Sequence, residues 1–209
     1  MGSHLVTQPS AFSSIVRIKQ PTVEPVSLFE AKDHLRIAPD VADDDGLIMG
    51  LISAARMTLE ERLERTFVAT QWRAKFCGLS SCWCRGVDIP YPPVLYDRFG
   101  GRNLEIYWDD EDGRQIYNPD AIRVDAEAFP GRVAIGETLA GPCCESVGTI
   151  TWWGGVEKAC DVPEPIKVAI KMIVDHLYTH RSAVTDVALQ EVPMAVDKLM
   201  AAMAWKGQF

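Results

Sequence analysis

Long apolar runs and blocks of basic residues are both missing from this sequence. Charged residues interrupt every apolar stretch well before the roughly 18 to 20 residues that span a bilayer. We therefore expect that this is not an integral membrane protein. The 29 acidic and 21 basic residues give a formal net charge of −8. Sequence-specific nucleic-acid binding needs a cationic patch and is therefore disfavoured. An acidic surface suits passage of DNA along the protein better than its capture, because like charges repel.

The signatures of common enzymes are absent as well. The sequence contains no Gly-x-Ser-x-Gly motif, no Walker-type loop and no Rossmann fingerprint. We therefore predict that the protein is not an enzyme and has neither catalytic residues nor a cofactor. With 47% hydrophobic and 24% charged residues in 209, the composition is that of an ordinary soluble protein. It excludes the collagen-like, intrinsically disordered and disulfide-scaffold classes.

The six cysteines favour a reducing compartment over a disulfide framework. Residues 1–4 resemble an expression-vector scar, and no apolar signal segment follows them, so we expect a cytoplasmic protein. A structural zinc site is disfavoured, because Cys77, Cys82 and Cys84 do not follow a common zinc-binding spacing. The remaining cysteines are Cys143, Cys144 and Cys160.

Two other groups of residues have the chemistry of a metal or catalytic site. His176 and His180 lie four residues apart, as a ligand pair on a helix would, but the Glu of the zincin motif does not follow His176. The acidic groups 43–45 and 109–112 are explained by a helix start and a turn. We therefore predict no metal site, with a small metal-dependent hydrolase as the alternative.

Helical spacing flanks the middle of the chain on both sides. Ser27 and Glu30 form a capping box, which predicts a short helix over about 28–36. A second helix of about twenty residues begins after the acidic group 43–45 and ends near residue 65. Pro163 and Pro165 are typical of a first helical turn and predict a third helix to about 181. A fourth amphipathic stretch follows Pro193 and ends near residue 205.

Between about residues 70 and 155 the apolar period changes from 3.6 to 2, which indicates strands. Asp112-Gly113 is a turn signal and predicts a hairpin. The proline-rich segment up to residue 26 is interpreted as an arm, although residues 15–18 alternate as an added edge strand would. The fold class is therefore predicted as α+β, mainly a bundle of about four helices with a small antiparallel β insertion between the second and third.

This reading divides the chain into four parts. They are a flexible N-terminal arm with the scar (1–26), a first helical pair (27–69), an antiparallel β insertion (70–160) and closing helices (161–209).

Several segments, taken in order along the chain, resemble those of a known protein family. The first lie in residues 27–37 and 43–56. The further segments are 71–72, 89–94, 110–113, 123–125, 130–133, 162–170, 176–181 and 191–199. By their order and spacing, since no single motif decides it, these segments resemble the head-tail connector (head-completion, adaptor) proteins of tailed phages and prophages, in a long form with a β insertion.

The resemblance implies a structural subunit that forms a ring of on the order of a dozen copies at the portal vertex. Such a ring joins the DNA-filled head to the tail, with the portal protein and a tail terminator or stopper as partners. DNA would pass through the lumen without sequence-specific binding. The location implied is the virion head-tail junction, assembled in the bacterial host cytoplasm.

The end of the last predicted helix is a candidate partner interface. Met200, Met203, Trp205 and Phe209 form an apolar set that we expect to be partly exposed in the free monomer and buried on assembly. The alternative is that these residues complete the core of the monomer. A tail-terminator or tail-assembly subunit is a further alternative function.

Overall fold

The structure is a computed structural model that describes residues 12–77, 82–96, 104–136, 147–180, 196 and 198–199. Its strands are β1 (Ser14–Lys19), β2 (Thr70–Cys77), β3 (Val87–Asp88), β4 (Leu104–Asp110), β5 (Gly113–Ile116), β6 (Ile122–Asp125), β7 (Arg132–Ile135) and β8 (Val147–Gly154). Its helices are α1 (Leu28–His34), α2 (Asp45–Leu63), α3 (Cys82–Arg85) and α4 (Glu164–Thr179).

The prediction of a mainly helical bundle of about four helices with a small β insertion is wrong. Within the described residues, only α1, α2 and α4 are longer than four residues, whereas eight strands form two separate sheets. Of the predicted fourth helix, Val196, Lys198 and Leu199 are described and helical. Strand pairing accounts for the difference, because strands distant in sequence join into sheets that side-chain alternation alone does not reveal.

The chain divides into two compact units, a helical unit and a sheet unit. The helical unit comprises the described residues of 21–70, 90–95 and 154–209. The sheet unit comprises the described residues of 12–20, 71–89 and 96–153.

In the helical unit, α2 packs against α1 and α4. The predicted capping box at the start of α1 is confirmed, and α4 begins directly after Pro163 as predicted. The buried stripe of α2 contains Ile48, Ile52 and Leu59, which follow helical spacing and are almost fully buried. The other core residues of this unit are Val26, Ala31, Ala55, Phe67, Val68, Val162, Ile166, Ala169, Ile170, Ile173, Val174 and Val196.

The sheet unit contains a five-stranded sheet of order β1-β2-β8-β4-β5 and a three-stranded sheet of order β3-β7-β6. The alternating segment 15–18 lies in β1, which pairs antiparallel with β2 at one edge of the larger sheet. The predicted hairpin at Asp112-Gly113 is confirmed, because β4 pairs antiparallel with β5 from Tyr107↔Ile116 to Asp110↔Gly113.

A cluster of aromatic side chains lies in the core of the sheet unit. Trp83 of α3 packs against Phe76 with ring centroids 4.6 Å apart and against Phe12 at 6.2 Å. The ring centroids of Trp152 and Phe12 lie 6.5 Å apart. Gly148 of β8 leaves the space that the Phe76 ring fills, since a Cβ built there would lie 2.2 Å from that ring. The five-stranded sheet thus has a buried aromatic face, and its polar residues alternate onto the opposite face.

Candidate interaction surfaces

The four residues predicted as a partner interface, Met200, Met203, Trp205 and Phe209, lie outside the described residues. The helical residues before them contact the core of the helical unit, with Val196 fully buried and Leu199 packed beside it. The role of the four residues stays a prediction.

The first turn of α1 places an apolar side chain in solvent beside a charged one. Phe29 is 66% exposed, although its neighbours Leu28 and Ala31 pack into the core. Glu30 closes the capping box by accepting hydrogen bonds from the Ser27 hydroxyl (2.6 Å) and the Ser27 backbone N–H (2.7 Å). These bonds, with smaller contributions from Lys167 and Lys171, lower the pKa of the Glu30 carboxyl.

The solvent side of α2 is apolar over three turns. Leu47, Met49 and Met57 are exposed there, and Gly46 and Gly50 lie between them. The helix sequence contains no charged residue between Asp45 and Arg56. An exposed apolar helix face of this kind can be buried against another protein chain. Sequence analysis identified only the buried stripe of this helix, although the uncharged run was visible.

A buried lysine holds the loop between α1 and α2. Lys32 Nζ donates to the backbone oxygens of Pro39 (3.0 Å) and Val41 (2.6 Å) and to Asp45 Oδ1 (2.8 Å). Its side chain is 5% exposed, so the charge is compensated mainly by these three acceptors. Asp44, the neighbour of Asp45, accepts a hydrogen bond from the Tyr178 hydroxyl of α4. Part of the acidic group 43–45 therefore has a structural role in the helical unit.

A buried ion network connects α2 to the segments before and after it. Arg56 Nη1 lies 2.6 Å from Glu60 Oε2, and Arg56 Nε lies 2.7 Å from Glu24 Oε2. Glu60 Oε1 also accepts the backbone N–H of Phe67 at 2.9 Å. Burial lowers the pKa of the nearby Arg65 guanidinium. Sequence analysis missed this network, because Arg56 and Glu60 have the spacing of an ordinary surface pair.

Cationic side chains lie over aromatic rings near both edges of the larger sheet in the sheet unit. The guanidinium of Arg17 lies 4.8 Å from the Trp72 ring, and Lys19 Nζ lies 5.6 Å from the Trp153 ring. At the other side, the Arg114 guanidinium lies 4.3 Å from the Tyr107 ring. These contacts hold long charged side chains against the sheet.

The residues considered for catalysis or metal binding are distributed over both units. His176 and His180 lie together at the end of α4, with ring centroids 4.5 Å apart and His180 Nδ1 2.8 Å from the His176 carbonyl oxygen. The acidic group 109–112 lies at the β4–β5 turn of the sheet unit. No group of three or more His, Cys, Asp or Glu suited to a metal ion occurs among the described residues.

The described cysteines lie at the protein surface. Cys77, Cys84 and Cys160 are exposed free thiols. Cys84 also affects Tyr117: burial, with a smaller contribution from Cys84, raises the pKa of the Tyr117 hydroxyl. The Cys82 side chain, Cys143 and Cys144 lie outside the described parts of the chain. In those described parts, no helix is both long enough and apolar enough to span a bilayer.

Residues 25–84 match the family of phage gp6-like head-tail connector proteins. This match includes α1, α2, β2 and all but the last residue of α3. No curated protein matches the chain in sequence.

Solved structures of similar fold come from gene transfer agent (GTA) particles. A chain in the neck of an empty GTA particle, computed with C6 symmetry, is similar with a TM-score of 0.70 and 17% identity. The similarity covers 90% of this chain and 94% of that one. A chain of the native GTA virion has a TM-score of 0.65 and 14% identity, covering 88% and 94%.

A third similar chain belongs to the neck of the native GTA particle, computed with C12 symmetry. Its TM-score is 0.61 at 16% identity, and the similarity covers 89% of this chain and 94% of that one. The three similarities therefore extend over both units of the fold. The resemblance inferred from the sequence is confirmed where residues 25–84 match the phage gp6-like head-tail connector family, and the GTA chains show that the fold as a whole is shared.

Proposed function

We propose that this chain forms a ring of about a dozen subunits at the portal vertex and joins the DNA-filled head to the tail. The observation that carries the proposal is the fold similarity to GTA neck chains, which extends over 90% of this chain. Two of those neck structures were computed with C6 and C12 symmetry. Heterologous contacts between copies are what close such a cyclic ring.

The partners proposed are further copies of the chain, the portal protein and a tail terminator or stopper. The protein would be assembled in the host cytoplasm and retained in the virion at the head-tail junction. Its net charge of −8 suits a lumen through which DNA moves without adhering, since an acidic wall repels phosphates. No enzymatic step is proposed, and the connector family is a structural one.

The proposed partner interface remains Met200, Met203, Trp205 and Phe209, which follow the buried Val196 in the sequence. Deleting the residues after Ala204 tests it. We expect the truncated chain to fold with an unchanged circular dichroism spectrum but to lose binding to portal rings. Unchanged assembly of the truncated chain would reject this role for the last five residues.

Removing the gene from its phage, prophage or particle producer tests the junction function itself. We expect DNA-filled heads with a portal but without attached tails, and restoration of joined particles when the intact gene is supplied in trans. A tail-terminator role predicts instead heads with a complete neck and a defect confined to the tail. A hydrolase role predicts that a variant at His176 and His180 fails to restore joined particles although it folds.

A further inference from the structure

The larger sheet of the sheet unit ends in two strands whose outer edges face away from the sheet. Its order places β1 at one side and β5 at the other, and in the described part of the chain neither pairs with a further strand there. Three apolar side chains of β1, Ile15, Val16 and Ile18, are partly in solvent. Ile116 of β5 is 60% exposed. Open strand edges with apolar side chains favour addition of another strand.

The β1 side of this sheet is basic. Strands β1 and β2 contain four cationic residues and no acidic residue, in a chain whose net charge is −8. Arg73 and Lys75 are exposed and alternate with the buried Trp72 and Phe76, so they lie on the outward face of β2. The other two cations are Arg17 and Lys19.

The β5 side of the same sheet is acidic. Four consecutive acidic residues, 109–112, lie at the β4–β5 turn, and all are exposed. The hairpin sequence offers one cation against them, Arg114, whose Nε lies 3.3 Å from Asp109 Oδ1. Asp110 is engaged within the turn, since its Oδ1 accepts the backbone N–H of Asp112. Glu111 and Asp112 remain at the tip as the most prominent carboxylates.

We infer that the β1 edge of one copy receives the β4–β5 hairpin of a second copy, so that the two sheets join edge to edge. The β1–β2 side is basic and the β4–β5 hairpin is acidic, and the pairing brings Ile116 beside the apolar side chains on one face of β1. The lengths also agree. The bulge between Arg17 and Lys19 leaves the regular segment Ser14–Arg17, which equals the 4 residues of β5.

This contact is heterologous, because one copy uses its basic edge and the other its acidic edge. Each copy therefore keeps one edge for a further neighbour, and repetition leads to a closed ring when the rotation per subunit allows it. The inference rests on the proposed ring and identifies the surfaces that build it. The four cations of β1 and β2, here called the basic strip, could instead bind nucleic acid, and the test below distinguishes the two.

Charge reversal on each edge tests the contact. One variant is R73E/K75E, and the other is E111K/D112K; all four side chains are exposed, so both variants should fold. We expect each variant alone to self-associate at least about tenfold more weakly than the native chain in sedimentation, because like charges then meet. A mixture of the two should regain native association, since every contact in an alternating ring again joins opposite charges.

A matched control for R73E/K75E reverses two exposed cations elsewhere, R123E/K158E, with the same change in net charge as that variant. We expect its association to equal that of the native chain. Self-association of both edge variants at native strength, or failure of their mixture to recover, overturns the inference while leaving the ring intact. If R73E/K75E loses binding to duplex DNA but not to itself, the basic strip belongs to nucleic acid and the inference is wrong.

Imaging of the native chain, alone and on portal rings, separates this inference from the proposed function. A native chain that forms no ring in either condition contradicts both. Native rings accompanied by rings of each edge variant alone contradict only the edge contact. Both the proposed function and the edge contact are supported if the native chain forms rings, each edge variant alone forms none, and the mixture of the two variants forms rings again.

Discussion

Arg56 and Glu60 form an ion pair inside the helical unit, with Nη1 2.6 Å from Oε2 and side chains 1% and 0% exposed. Four residues apart on α2, they would be expected to form a pair in solvent worth a few tenths of a kcal/mol. The structure instead buries both, and the second carboxylate oxygen of Glu60 accepts the backbone N–H of Phe67. The pair therefore connects α2 to the chain that leads into β2.

Breaking this pair should destabilise the protein strongly. Glu60→Ala leaves the buried Arg56 guanidinium with the partly exposed Glu24 as its carboxylate partner, so we expect the free energy of unfolding to fall by about 3–5 kcal/mol in urea titration. The control is Arg114→Ala, which breaks an exposed pair with Asp109 and should change stability by less than about 1 kcal/mol. Equal effects of the two variants would contradict the assigned burial.

Two glycine-to-alanine substitutions should have opposite signs. Gly148→Ala places a Cβ 2.2 Å from the Phe76 ring, which is itself buried against Trp83, so we expect a loss of roughly 1–3 kcal/mol. Gly50→Ala places a Cβ in open space on the exposed side of α2 and should stabilise the protein by about 0.5–1 kcal/mol. Thermal unfolding measures both, and a stabilised Gly148→Ala variant would contradict the packing of Phe76.

The capping box predicts a pH dependence of stability. The pKa of Glu30 in the folded protein lies below its ordinary value of 4.5, so the carboxylate contributes stability above that value. This contribution is lost as the pH falls through the lowered folded pKa. The free energy of unfolding of Glu30→Gln should therefore be lower than that of the native chain at pH 7, by less than about 1 kcal/mol because Glu30 is exposed. This difference should shrink as the pH falls through the lowered pKa of Glu30. A difference that grows towards low pH would contradict the assignment.

Lys32 should control the order of the loop between α1 and α2. Lys32→Met removes the donor that holds Pro39, Val41 and Asp45, and we expect faster amide hydrogen exchange over residues 38–46 together with a stability loss of about 1–3 kcal/mol. Lys158→Met, at an exposed position, is the control and should change neither quantity. Unchanged exchange in the Lys32 variant would mean that the loop is held by other contacts.

The helices were predictable from local patterns. The capping box at Ser27, the apolar stripe of α2 and the prolines before α4 each specify a helix through contacts within a few residues. The hairpin at Asp112-Gly113 was predictable for the same reason. Ordering the strands was not, because β8 pairs with β4 and β1 with β2 across long stretches of sequence.

The candidate surfaces were less predictable than the fold. Periodicity identifies the side of α2 that packs inward, but it does not show that Leu47, Met49 and Met57 leave an exposed apolar side opposite. The opposite charges of the two sheet edges become visible only when the strand order places β1 and β5 at the two sides. The sequence alone shows how many charged residues there are, but not where they lie in the sheet. The family resemblance was accessible because it depends on the order of local segments.

Imaging of the purified chain by negative-stain electron microscopy, with and without portal rings, tests the central claim most directly. Our account predicts a ring of about a dozen subunits, formed alone or on the portal, that adds density on the tail side of the portal. Portal rings that look the same with and without the chain, together with a chain that stays monomeric at every concentration, would contradict it.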